Sequence, residues 1–421
     1  MRVVGIICEY NPFHLGHLYQ IKKIREMIPD CLIICICNGT FMQRGEVSII
    51  NKWDKTRICL EYGIDVVVEL PFVFATQSSD IFAHGALKIL NNLHIDTLVF
   101  GSESNNVEIL KTLAMAQLNN KVFDDKVCEY LDKGDNYPTA LSKALEVITK
   151  YRIKEPNDIL AVSYIKEIIK NNYSIEPVAI KRTNDYHGVI ISGDMINASL
   201  IRKMLVNGND VSKYVPKATL KYLNDIPSRD KFYSLLKYQI INNIDNLDSF
   251  QTVDEGLNNL IKKNIYNANS LDELINLIKT KRYTYNKLNR MFTHILTNFK
   301  KEDNKELEIN YVRLLGFNKR GRSYLNKIKK DMEIPVVTGY NKINDKIFNI
   351  EKRVSYIYSL LIVNSDSYLE EENKNKLIIL IWWLGLFLAM WTVVSTTASY
   401  FNFFYLSLAY FTKFFFFIVH E

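Results

Sequence analysis

Proline and glycine are scarce in this chain, 9 and 16 of 421 residues. That excludes collagen-like and linker-rich architectures, and 48% hydrophobic residues exclude disorder along most of the length. Cysteine is sparse as well. The six cysteines stand at 8, 31, 35, 37, 59 and 128, and none forms a CxxC pair, so neither a zinc ribbon nor a thioredoxin-type site is indicated. They read as reduced, buried thiols of a cytosolic protein. A chain of this size buries a large core without disulfides. Neither sign of charge dominates: 53 Lys+Arg against 46 Asp+Glu leave +7, which permits an anionic partner without demanding one. No cleavable secretory pattern opens the sequence, because residues 3–8 already form a short apolar run. Residues 377–412 lack every Asp, Glu, Lys and Arg. A run of ~20 apolar residues is enough to cross a bilayer. The tail therefore carries a candidate transmembrane segment, with membrane contact through residues 377–419. A buried core helix and a segment foreign to the preceding domain are the alternatives.

What is present is an alternation. Apolar, β-branched runs at 3–8, 31–37, 65–70 and 97–100 are separated by helical patterns at 15–27, 51–62 and 79–93. Continuous apolar strands between amphipathic helices predict an α/β fold with a doubly wound parallel sheet covered on both faces. The alternation continues more weakly, with a helix at 159–169, a strand at 176–181 and a helix at 198–206. From about residue 217 the pattern turns mostly α-helical, with apolar stripes at 232–241 and 271–278.

The stretch richest in chemistry is GIICEYNPFHLGH, residues 5–17. A strand ends near Cys8, a turn contains Asn11 and Pro12, and His14-x-Gly16-His17 opens a helix. A helix N-terminus offers free N–H groups and partial positive charge, which suits phosphate. Gly16 lets backbone approach a ligand closely. Two histidines three residues apart share a helical face. Both can donate to phosphoryl oxygens and stabilise charge as pyrophosphate leaves. Two surface histidines at a helix start are the plainer alternative. Zinc is disfavoured because no Cys or carboxylate stands at ligand spacing. Gln43-Arg44-Gly45-Glu46 follows the second strand and reads either as an active-end loop or as a surface turn. Lys52, Lys55 and Arg57 face the site or solvent. Asp80 and His84 are pocket candidates or helix-surface residues.

The strand–HxGH–helix resembles the nucleotidylyltransferase superfamily. Further stretches are more specific: NGTFMQRGEVSIINKWDKTRICLEYGIDVVVELPF, LVFGSES, EPNDILAVSYI, IKRTNDYH, INASLIRKML, TKRYTYNKLNRMFTHIL and YVRLLGFNKRGRSYL. In that order, over residues 1–366, they resemble the bacterial tRNA(Met) cytidine acetate ligase family. The resemblance implies a cytoplasmic ATP-dependent ligase. Acetate attacks ATP to give acetyl-adenylate, and the acetyl group passes to N4 of the wobble cytidine of elongator tRNA(Met), giving N4-acetylcytidine. The other readings are a nucleotidylyltransferase acting on a small metabolite and a membrane-anchored, non-catalytic nucleotide-binding protein.

The resemblance implies catalytic roles for His14 and His17. It implies ATP binding by Ile7, Cys8, Glu9, Tyr10, Asn11, Pro12, Phe13, His14, Leu15, Gly16, His17, Gly101, Asn157, Arg182, Ser199 and Arg202. Asn197 stands where the family usually has Ser, and Leu15 where Asn is common. Asn157 could otherwise cap its helix, and Asn197 can cap the next. Mg²⁺ is expected to accompany ATP. Two basic, aromatic-interleaved runs suit an RNA backbone and unpaired bases, and Lys281, Arg282, Arg290, Lys319, Arg320 and Arg322 are the candidate tRNA contacts. The expected organisation is an ATP-binding domain at 1–216, a helical tRNA-binding domain at 217–370 and the apolar tail at 371–421.

Overall fold

The structure, a computed structural model, describes residues 1–118, 120–182, 196–254, 256–339, 345–374 and 377–380. Nearly all of the candidate transmembrane tail lies outside the described residues. Among the described residues no helix is long and apolar enough to cross a membrane. The described start of the tail is not helical: Ile378–Leu380 is a strand.

Among the described residues eight strands form one sheet: β1 (Val3–Cys8), β2 (Leu32–Asn38), β3 (Val66–Leu70), β4 (Thr97–Ser102), β5 (Glu176–Lys181), β6 (Val312–Asn318), β7 (Val336–Val337) and β8 (Ile378–Leu380). The order is β5-β4-β1-β2-β3-β6-β7, with β8 also paired to β6. The first five strands are parallel, as their continuous apolar runs require when helices cover both faces. All seven residues of β2 are buried. Neighbours β2 and β4 flank β1, so the chain leaves β1 toward one side of the sheet and returns later on the other. Such a switch point opens a crevice at the carboxyl ends of the strands.

The second half of the chain is mostly helical, as expected, and also supplies the strands β6, β7 and β8 to the sheet. β6 pairs antiparallel with β3 and lies one strand in from the edge of the sheet, and all seven of its residues are buried. The chain from Met1 to Leu380 packs as one compact unit, without a break near residue 216. In sequence Arg313 interrupts this apolar run and hides the strand. In the fold Arg313 is 1% exposed and its guanidinium donates to Glu69 (2.9 Å) and Glu372 (3.1 Å). Buried charge survives only when paired and hydrogen-bonded in this way. Gly316 is needed in the same strand, because a Cβ there would lie 2.6 Å from the Ile378 carbonyl oxygen and from Thr56.

Lys52 belongs to the same buried network and faces neither the cavity nor solvent. Its ammonium donates to Glu69 (2.9 Å), pairs with Glu372 (2.7 Å) and lies 4.0 Å from Glu351. Lys55 is buried too and donates to the carbonyls of Asn38 and Gly39. Arg57 pairs with Asp54 and Glu371. Five cysteines are buried, whereas Cys128 is exposed on the helix Lys121–Asp132, against the expectation for all six.

Candidate active site at the sheet switch point

β1 delivers its last residues to a turn in which Tyr10 adopts a positive φ of 47° and the Asn11–Pro12 peptide bond is cis. The helix Leu15–Met27 then begins, with His14 as its N-cap. Nδ1 of His14 accepts from the Gly16 N–H (3.0 Å), and Nδ1 of His17 accepts from the His14 N–H (3.2 Å). The two side chains thus form a reciprocal capping box, with ring centroids 3.8 Å apart. The tautomers follow from this geometry. Each Nδ1 is committed as an acceptor, so each neutral ring carries its proton on Nε2 and can donate it to a ligand. Burial, then the charges of Arg182 and Arg202, pushes the His14 pKa down to about 3. Burial, then His14 and Arg182, holds His17 well below its ordinary value. Both rings are neutral donors at neutral pH.

A cavity of about 400 Å³ opens beside them. Ile7, Cys8, Glu9, Tyr10, Asn11, His14, Gly16, His17, Gly101, Asn157, Arg182, Ser199 and Arg202 all line it. Three of the expected residues do not. Pro12 is buried within the turn. Phe13 is fully buried and stacks on Tyr62 at 5.5 Å, because the turn anchors its aromatic side chain in the core. Leu15 holds the helix start through its N–H, which donates to the Tyr214 carbonyl (3.0 Å).

Each remaining wall has its own support. Gly101 is the penultimate residue of β4, and a Cβ there would lie 3.2 Å from Arg182 Cγ, so the missing side chain leaves the arginine room. Arg182 follows β5 and donates to Asn157 Oδ1 (3.2 Å). Asn157 does not cap its helix, Pro156–Lys170. Its amide donates to Glu103, whose other oxygen accepts from the Asp158 N–H (3.1 Å). Asn197 does cap, accepting from the Leu200 N–H (2.9 Å), so the helix Ala198–Val206 starts correctly without the usual Ser. From that helix Arg202 donates to the Asn11 carbonyl (2.7 Å), the Glu46 carboxylate (2.5 Å) and Ser199 Oγ (3.2 Å). Asn11 Oδ1 in turn accepts from the Ile49 N–H (2.8 Å), and Glu9 accepts from the Gln43 N–H (2.7 Å). Burial raises the Glu9 carboxyl above its ordinary value.

The loop after β2 is therefore an active-end loop and not a surface turn: Gln43, Arg44 and Glu46 line the cavity. Leu160 and Tyr164 line it as well. With Asn157 they stand at i, i+3 and i+7 on one helix face, a spacing legible in the sequence but unused there. Asp80 and His84 are elsewhere, paired with Lys166 and Glu167 respectively.

The six basic candidates separate. Arg290 lies on the helix Tyr285–Leu296, whose Asn289 amide donates to the Arg44 carbonyl (2.9 Å) and whose Thr293 hydroxyl donates to the Gly45 carbonyl (2.6 Å). Burial, then Arg44, pushes the Arg290 pKa down to about 10. Lys281 and Arg282 are exposed just before that helix. Lys319, Arg320 and Arg322 start the helix Lys319–Ile328, which follows the antiparallel β6 and so sits at the amino ends of the parallel strands. There Arg320 donates to the carbonyls of Asp30 and Cys31.

The family model described as HIGH nucleotidyl transferase matches residues 1–374. The tRNA(Met) cytidine acetate ligase of Clostridium perfringens is 38% identical over 393 residues, covering 87% of this chain and 98% of that protein. The chain belongs to the tRNA(Met) cytidine acetate ligase family. The Bacillus subtilis ligase is 34% identical over 385 residues, covering 86% of this chain and 93% of its own. Among solved structures, TmcAL of Thermotoga maritima bound with alpha-thio ATP superposes with a TM-score of 0.79 at 28% identity, covering 86% of this chain and 96% of that one. The acetate ligase family thus includes a member seen with an ATP analogue, and its fold is shared by this chain over nearly the whole of that protein.

Proposed function

We propose that this chain is an ATP-dependent acetate ligase that acetylates N4 of the wobble cytidine in elongator tRNA(Met). One observation carries the reading: two neutral histidines at a helix N-terminus and two arginines, Arg182 and Arg202, line one cavity at the switch point of a parallel sheet. That is a site for a polyphosphate. The names of the relatives supply acetate and tRNA(Met) as the other substrates.

In the first step an acetate oxygen attacks the α-phosphorus of ATP. A new P–O bond forms, the bond to the β-phosphate bridge breaks, and pyrophosphate leaves with the electron pair. Nε2–H of His14 and of His17 donate to phosphoryl oxygens as charge builds on them. Arg182 and Arg202, which line the same cavity, neutralise the triphosphate. Fixed donors of this kind act without reorganising during the reaction. In the second step the N4 nitrogen attacks the acetyl carbon, AMP leaves with the electron pair, and N4 gives up a proton.

Mg²⁺ arrives with ATP in this scheme. Among the described residues no group of three or more His, Cys, Asp or Glu could hold a metal. Lys281, Arg282 and Arg290 form the RNA patch on the cavity side, and Lys319, Arg320 and Arg322 a second patch at the far end of the sheet. ATP and tRNA as substrates support a cytoplasmic location. Incubation with ATP, labelled acetate and total tRNA, followed by nucleoside mass analysis, tests the assignment. Labelled N4-acetylcytidine is the expected product, and its absence with an active enzyme preparation overturns the reading.

A further inference from the structure

A second cavity, of about 340 Å³, adjoins the first. The two share Glu46, Ser199 and Arg202 as a common wall. Part of its lining continues the loop after β2 and the helix Ala198–Val206, which also line the first cavity, and the rest comes from elements the first cavity does not use, among them the start of the helix Arg229–Asn242 and Tyr285 and Asn289 of the helix Tyr285–Leu296. Nothing in the ATP chemistry uses this space.

We propose that the second cavity receives the cytosine of the acceptor nucleotide, flipped out of the anticodon loop. The inference rests on the acetate-ligase reading and adds where the acceptor sits. Three observations support it. First, an unpaired base needs an apolar floor with an aromatic partner, and the cavity offers Phe232, Leu271 and the ring of Tyr285. The Tyr285 hydroxyl is held by donating to Asp272 (3.3 Å), which also accepts from Arg229 (2.8 Å). Second, the rim is basic. Lys203 and Arg229 line the cavity, and the exposed Lys281 and Arg282 stand four and three residues before Tyr285. These cations suit the phosphates flanking an extruded nucleotide. Third, the shared wall carries the group that distinguishes cytosine. The Glu46 carboxylate, fixed by Arg202 at 2.5 Å, can accept from the exocyclic N4 amine, where uracil presents only an oxygen acceptor.

The placement also meets the needs of the transfer. A base seated there has its N4 at the partition, facing the acyl-phosphate formed on the other side. The N4 lone pair attacks the acetyl carbon and the C–N bond forms. The C–O bond to the adenylate breaks, AMP takes that electron pair, and the N4 proton passes to the Glu46 carboxylate.

Tyr285 and Val206 line only the second cavity, and Val206 is exposed, so both can be changed without touching the ATP wall. Full-length Tyr285→Ala, Tyr285→Phe and Val206→Trp proteins should be compared with the parent in two assays. One is acetate-dependent ATP–pyrophosphate exchange without tRNA, and the other is acetyl transfer to a tRNA(Met) transcript. The expected result is exchange within twofold of the parent in all three. Transfer should fall at least tenfold in Tyr285→Ala and Val206→Trp, and should be largely kept in Tyr285→Phe, which retains the ring. Unchanged transfer in Tyr285→Ala and Val206→Trp overturns the proposal. So does a parallel loss of exchange and transfer, which would make this cavity part of the ATP site. A parent protein that performs no exchange overturns the acetate-ligase reading itself, a separately visible outcome.

Discussion

A backbone detail sets the hydrogen-bonding state of His14 and His17. Because each Nδ1 accepts a main-chain N–H, the donor on Nε2 exists without any protonation. His17→Ala should lower acetate-dependent ATP–pyrophosphate exchange by roughly 10²–10³-fold, as expected for loss of one preorganised donor to developing charge. Exchange at the parent rate would refute the role. Buried histidine also shapes the response to acid. His294 is fully buried, donates through Nε2 to the Thr76 carbonyl (2.8 Å) and accepts at Nδ1 from Thr252 (2.9 Å). Burial pushes its pKa down to about 4, against an unfolded value near 6.5. Between those values the unfolded chain binds the extra proton, so stability is complete above pH 6.5 and is lost as pH falls. Urea unfolding of the parent should weaken by roughly 2 kcal/mol more than that of His294→Gln between pH 7 and pH 5. Equal losses in the two proteins would show that His294 does not contribute.

Among the elements, the helix Tyr285–Leu296 joins the two halves of the chain. Its Asn289 and Thr293 grip the backbone of the loop that carries Arg44 and Glu46. Gly45 permits the approach: it has a φ of +80°, and a Cβ there would lie 2.6 Å from the Asn289 carbonyl and the Arg290 nitrogen. The helix therefore packs on the loop that lines the cavity, whereas the helix Lys319–Ile328 is at the other end of the sheet. Joint neutralisation of Lys281, Arg282 and Arg290 should weaken tRNA binding at least tenfold and flatten its dependence on salt. The same change at Lys319, Arg320 and Arg322 should have a smaller effect. Filter-binding titrations across a salt series separate the two, and a larger effect from the second set would move the RNA path to the far end.

At the scale of the whole molecule, the buried ion network ties β3, β6, the helix Lys52–Glu61, the helix Lys346–Ser359 and the helix Ser365–Asn373 into one body. Glu372 is its centre: it pairs with Lys52 and Arg313 and accepts from Trp53 Nε1 (2.9 Å). Glu372→Gln leaves buried cations short of charge and should cost about 3–5 kcal/mol in denaturant unfolding. Glu351 differs, because burial, with help from Glu69, pushes its pKa up to about 8, so it is mostly neutral at pH 7. Glu351→Gln should cost far less than Glu372→Gln at that pH, and equal costs would contradict the assignment. The compact unit ends at Leu380. A protein truncated after Leu380 should keep exchange within twofold of the full chain, whereas truncation before Ile378 also removes β8 from the sheet. Loss of cooperative unfolding in the longer truncation would show that the remaining tail is needed.

The alternation of strand and helix and the HxGH turn were legible from the chain alone. Parallel strands buried on both faces must be unbroken apolar runs, and a capped helix start has a local signature. Three other things depended on distant residues. Arg313 looks like a surface charge until Glu69 and Glu372 surround it, so β6 and the unity of the sheet were invisible. Phe13 and Leu15 sit inside the motif, yet packing turns them away from the cavity. The wall between the two cavities is made by Arg202 reaching Asn11, 191 residues earlier, and Glu46, 156 residues earlier. Periodicity reports which face of a segment avoids water. Only the packed fold decides which buried charges meet, because their cost is offset by partners that sequence proximity does not supply.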